Sequence, residues 1–131
     1  MSKSVKDLLL GLKINKVEGD FYCYDNQLTS LKGSPEAVGE IFGCDYNQLT
    51  SLEGGPKTVR GTFNCDYNEL TSLEGSPGTV GGNFRCQYNK LTSLEGAPKK
   101  VGGNFYCSHN PKKFTEEEVR NRINVKGRII V

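Results

Sequence analysis

The stretch NCDYNELTSLEGSP, residues 64–77, decides how this chain is read. Nearly the same words stand one block earlier as GCDYNQLTSLEGGP (43–56) and one block later as RCQYNKLTSLEGAP (85–98). Self-similarity at a fixed period marks a repeat architecture and comes before any local propensity. The period is 21: Phe falls at 21, 42, 63, 84 and 105, Cys at 23, 44, 65, 86 and 107, and Asn at 26, 47, 68, 89 and 110. Leu recurs at 28, 49, 70 and 91 and again at 31, 52, 73 and 94. Gly follows at 33, 54, 75 and 96, Pro at 35, 56, 77 and 98, and Val at 17, 38, 59, 80 and 101. One unit reads V-x-G-x-F-x-C-x-x-N-x-L-T-S-L-x-G-x-P-x-x, and Glu40 is its departure at the first Gly.

Within the unit, Val38 to Asp45 alternates. Phe42 and Cys44 share one side, and Ile41, Gly43 and Asp45 share the other. Period two predicts a strand with one face inward. Asn47 ends it, and its amide is suited to bonding the backbone of neighbouring coils as a ladder. Leu49 and Leu52 then return to the core, and Gly54 and Pro56 bend the chain toward Val59. A unit of this size cannot bury Phe, Cys, two Leu and Val by itself, whereas stacked units cover one another. The spacing predicted between coils is about 4.8 Å, that of paired strands. The expected fold is a repeat solenoid with five strands in a parallel sheet.

These residues resemble the leucine-rich repeat family. The match is to L-x-x-L-x-L-x-x-N-x-L-x-x-L, with Phe63 and Cys65 in two Leu places, followed by Asn68, Leu70 and Leu73. The short repeat with its Pro-containing return resembles the bacterial class found in effectors. The full phrase is similar to small repeat proteins of tailed bacteriophages. The resemblance covers residues 17–110 and departs in having Val, one residue early, for the usual Leu. It implies an α/β-class solenoid that is mostly β and coil, and a strand face where partners dock. A right-handed parallel β-helix also stacks coils, and Asn followed by L-x-x-L argues against it. Ubiquitin transfer, which the effector likeness suggests, has no room beside the repeats and caps.

Stacked sheets need caps at their ends. Residues 1–16 are expected to form an N-terminal helical cap, 17–110 five repeats, and 111–131 a C-terminal helix–strand cap. Ser4 is the expected N-cap of a helix over 4–12 with Val5, Leu8, Leu9 and Leu12 on one face. Thr115 and Glu118 have the spacing of a capping box, with Phe114 as its hydrophobic staple. GRIIV (127–131) reads as a closing strand. Caps at both ends lead to the expectation of a finished protein.

The chain has 131 residues and a formal charge of +2, so no global field points to nucleic acid or membrane. Its longest apolar run, Leu8 to Leu10, cannot span a bilayer. The N-terminus lacks the pattern of a secretion signal. Five Cys, one per unit, read as small buried hydrophobes and suit a reducing cytoplasm, the expected location. Zinc ligands need closer spacing, and no cofactor or small-molecule substrate is expected. There is no Gly-rich phosphate loop, and the single His has no companion of catalytic spacing, so no enzyme is expected. Lys112, Lys113, Arg120, Arg122, Lys126 and Arg128 are diluted by Glu116 to Glu118 and read as a solvated cap.

What varies between units lies outward, flanking Phe and Cys. All six Tyr of the chain stand there, with Asp20, Asp25, Asp45 and Asp66 against Arg85 alone. Tyr46, Tyr67 and Tyr88 form a column at the strand ends, bounded by Asp25 and His109. Asp45 and Asp66 form a second column beside it. One reading makes the tyrosines a cover for the sheet edge. The other makes them a partner surface, since Tyr supplies rigid contact area and is enriched at hot spots. The aspartates favour a protein partner presenting Lys or Arg. The sequence therefore predicts an interaction module using Tyr22, Tyr24, Asp25, Asp45, Tyr46, Asp66, Tyr67, Arg85, Tyr88, Tyr106 and His109. By the phage likeness, it would bind and inhibit a host protein. The alternative is a structural homo-oligomer that uses the same face or the caps; the oligomeric state is open.

Overall fold

The computed structural model describes residues 2–131. It is a parallel β-solenoid with a 21-residue coil, closed by two short helices. Each coil contributes two dipeptide strands, one to each of two sheets. The first sheet stacks β1 (Lys16–Val17), β3 (Ala37–Val38), β5 (Thr58–Val59), β7 (Thr79–Val80), β9 (Lys100–Val101) and β11 (Asn124–Val125). The second stacks β2 (Phe21–Tyr22), β4 (Phe42–Gly43), β6 (Phe63–Asn64), β8 (Phe84–Arg85), β10 (Phe105–Tyr106) and β12 (Ile129–Ile130). Every pairing is parallel, and Val pairs with Val and Phe with Phe along the array. Two sheets replace the single one expected from the sequence. Two strands per coil is a feature that the β-helix alternative would share.

The alternation across Val38–Asp45 is interrupted by a corner. At Gly61 an added Cβ would stand 2.6 Å from the Glu40 carbonyl of the previous coil, so the backbones there approach too closely for a side chain. At Gly75, on the opposite corner, φ is +90°, which L-residues rarely adopt. Between these corners the inward residues form one core. Phe42, Phe63, Phe84 and Phe105 are fully buried, as are both Leu columns up to Leu91. The Phe rings stack from coil to coil with centroids 5.2–5.6 Å apart.

The Asn ladder forms as predicted. Asn68 Oδ1 accepts from the Leu49 N–H at 2.9 Å, and its Nδ2 donates to the carbonyls of Cys44 and Cys65 at 3.0 and 3.2 Å. Asn47, Asn89 and Asn110 repeat this pattern in their own coils. Each amide ties one coil to the one before it where no sheet bond is available.

Helix α1 (Val5–Leu8) is a single turn with a capping box between Ser4 and Asp7. It is shorter than expected. Leu10 and Gly11 adopt positive φ, which ends the helix and leaves Leu12 69% exposed instead of on an apolar face. The cap bonds the first corner: the Thr29 N–H donates to the Lys3 carbonyl and the Lys6 N–H to the Lys32 carbonyl, both at 2.8 Å. Helix α2 (Glu116–Arg120) has the predicted Thr115–Glu118 box, and Phe114, Val119 and Ile123 join the core. After it the motif returns. Val125, Gly127 and Ile129 take the Val, Gly and Phe places of a further coil. Arg120 then finishes the first sheet. Its guanidinium donates to the carbonyls of Val125 (2.9 Å) and Gly127 (3.2 Å), standing in for the N–H groups of a following coil. Glu116 holds it at 3.1 Å.

Candidate partner-binding face

The candidate residues lie on the outer side of the second sheet and in the bend that follows it. At that bend Asp25, Tyr46, Tyr67, Tyr88 and His109 all have φ between +53° and +59°. A bulky residue in this region is an outlier that its surroundings must hold in place, at about 1–3 kcal/mol each. The surroundings here are the Asn ladder on one side and the neighbouring rings on the other. Tyr46, Tyr67, Tyr88 and His109 form one continuous stack, with centroids 4.4, 4.4 and 4.3 Å apart and planes within 11°. The column is both exposed and ordered. Tyr46 keeps 54% of its surface, and Tyr67 and Tyr88 keep 40% each. Desolvation and then the neighbouring Tyr67 hydroxyl raise the Tyr88 phenol above its ordinary value.

Tyr22 and Tyr24 are not part of this column. They meet edge to face at 5.8 Å at the N-terminal end of the sheet, and each is about half exposed. Gly43 makes room for them: a Cβ there would stand 2.9 Å from the Tyr22 ring. Asp25 stands at the head of the Tyr46 column and is exposed.

The acidic face expected from four aspartates is smaller in the structure. Asp66 lies on the outer side but is only 5% exposed. Its Oδ2 accepts from Arg85 Nε at 2.9 Å and its Oδ1 from the Gln87 N–H at 2.7 Å. Arg85 in turn lies 4.7 Å from the centre of the Tyr106 ring. These three outward candidates thus hold one another and offer little free charge. Asp45 is half-buried, and desolvation, with a smaller contribution from Asp66, raises its carboxyl above the ordinary 3.8. Asp20 also has a structural partner, accepting from the Ile41 N–H at 2.8 Å.

That last bond belongs to a side-chain ladder that the sequence reading overlooked. Thr62 accepts from the Asn83 N–H, Asn83 from the Asn104 N–H, and Asn104 from the Arg128 N–H, at 3.3, 2.8 and 2.8 Å. The signal was present, since Asp20, Thr62, Asn83 and Asn104 are all short acceptors at one repeat position. A shorter chain runs at the far end, where the Ser108 hydroxyl donates to Gln87 and lies 3.1 Å from His109 Nδ1.

The Cys column is sealed. Burial holds the thiols of Cys44, Cys65 and Cys86 well above their ordinary value and pushes Cys23 and Cys107 up to about 12. Among the described residues no three His, Cys, Asp or Glu side chains converge as metal ligands would. No helix among them is long and apolar enough to cross a membrane. A hollow of 1130 Å³ runs along the opposite corner past Gly33, Gly54 and Gly75, and none of the candidate residues lines it. Comparison with models of protein families finds no match, and comparisons with curated proteins and with solved structures find no similar chain.

Proposed function

We propose that the chain is a non-enzymatic protein-interaction module that binds a partner through the outer side of its second sheet and the aromatic column beside it. One observation carries this reading: Tyr46, Tyr67, Tyr88 and His109 form an exposed, stacked row on strained backbone. Rings already held in place lose little entropy on docking, and tyrosine offers apolar area and a hydroxyl together. Asp25 and Asp45 beside the row favour a partner presenting Lys or Arg. The likeness of the repeat phrase to short leucine-rich repeats of bacteria and tailed phages supports a finer version. In it the protein is phage-encoded, works in the host cytoplasm and inhibits a host protein.

The test is a tagged pull-down from bacterial lysate with mass spectrometry, beside a Tyr46/Tyr67/Tyr88 triple-Ala variant checked for folding by circular dichroism. A retained protein is then purified and titrated against both forms. A loss of about tenfold or more in affinity is expected for the folded variant. Equal affinity for both forms would overturn the assignment of the face. The second reading, a structural homo-oligomer, is favoured by the strand edges left open at the two ends of the second sheet.

A further inference from the structure

Both ends of the second sheet leave a strand with one neighbour. Along the array the N–H at each Phe position donates to the residue before the next Phe, from Phe21 to Ile41 through to Phe105 to Arg128. The next donor in this series is the Ile129 N–H, and no strand follows β12 among the described residues. At the other end no strand precedes β2 among the described residues, and none of their backbone N–H groups donates to the Asp20 carbonyl. Such edges are templates for another chain. The first sheet differs, because Arg120 already occupies its last carbonyls.

The side chains at the two ends complement one another at matched repeat positions. The column that begins with Asp20 ends with Arg128, and the column that begins with Glu18 ends with Lys126. All four charges are exposed, and none forms an ion pair among the described residues. Between them the columns hold only neutral residues and Arg60. The apolar positions match as well. Phe21 stacks on Phe42 by one face and stays partly exposed, while Ile129 and Ile130 are partly exposed at the far end.

The geometry points to head-to-tail docking of a second copy of this chain, in which the Asp20–Tyr22 edge of one copy adds in parallel to the Arg128–Ile130 edge of another. Arg128 then faces Asp20, Lys126 faces Glu18, and Ile129 covers Phe21. The contact is heterologous, so further copies add in the same way and build an open row unless the rotation closes. The tyrosine column takes no part, and this inference stands independently of the strand-face reading.

Sedimentation velocity over a range of concentrations, at low and high salt, tests it. The expected result is a mass that grows with concentration and shrinks with salt. Lys126→Glu/Arg128→Asp and Glu18→Lys/Asp20→Arg should each weaken association by about tenfold or more, and an equimolar mixture of the two should restore it. Asp20→Asn keeps the acceptor for the Ile41 N–H and should weaken association less, which separates lost charge from lost folding. A wild type that remains monomeric throughout would overturn the inference. So would folded end variants that associate as the wild type does, or a mixture that stays monomeric.

Discussion

Two aromatic columns run along this solenoid, one inside and one outside. The inner one, Phe21 to Phe105, is buried beyond its first ring, sits on extended backbone and stacks at 5.2–5.6 Å. The outer one, Tyr46 to His109, is about half exposed, sits on left-handed backbone and stacks more closely, at 4.3–4.4 Å. The same translation from coil to coil produces both. They differ in what holds them. The inner column is held by the removal of apolar surface from water, whereas the outer one needs the ladder beside it to keep an unfavourable backbone in place. Stacking alone therefore does not distinguish scaffold from surface; burial and backbone conformation do.

Four substitutions test this contrast. Phe63→Ala removes a fully buried ring from the inner column and should lose about 3–5 kcal/mol in chemical denaturation. A loss below about 1 kcal/mol, the level of a surface change, would show that the inner stack is not the core. Asn68→Ala takes away the ladder rung that supports the outer column, leaving the Leu49 N–H and the Cys44 carbonyl without their side-chain partner. A loss of about 2–3 kcal/mol is expected, and hydrogen exchange at the Leu49 amide should accelerate. Unchanged exchange there would remove the ladder from the account.

Tyr67→Ala interrupts the outer column and should lose about 1 kcal/mol, with Tyr67→Gly losing less because glycine accepts the positive φ. Gly measured as less stable than Ala would mean that the backbone at this bend carries no strain. The smallest effect is expected at Asp45. Its carboxyl is raised in the folded state, so the folded form holds its proton more tightly than the unfolded chain does. The stability this one group contributes is therefore fully present below the ordinary 3.8 and is lost as pH rises through the folded value. Asp45→Asn should stabilise the folded form at neutral pH by less than about 1 kcal/mol after solvent screening, seen as a slight rise in melting temperature, and flatten that pH dependence. A drop at neutral pH would assign Asp45 a favourable contact as an anion.

Much of this was legible because repetition exposes it. Phe63, Cys65, Leu70 and Leu73 recur for one reason, and all are buried. Asn68 could be recognised as a ladder residue, since a polar group at a core period must bond its neighbours. Thr115 and Glu118 carried their capping box in their spacing. The candidate face was less legible. Asp45 and Asp66 occupy the same repeat position, yet one is half-buried and the other is locked by Arg85 from the next coil. Arg120 read as a solvated charge and proved to close a sheet.

By itself the sequence determined the period, the inward residues and the stacking of equal positions, because any solenoid superimposes residues one period apart whatever path the coil takes. Which different positions meet depends on the folded coil. The corner between Val59 and Phe63 divides that coil between two sheets, and Gly61 there lets the backbone press against the carbonyl of the coil before it. The turn of Tyr46, Tyr67 and Tyr88 into left-handed backbone aligns their rings, and the reach of Arg85 and Arg120 selects their partners. These contacts depend on angles and distances between different repeat positions, which a one-dimensional period does not contain.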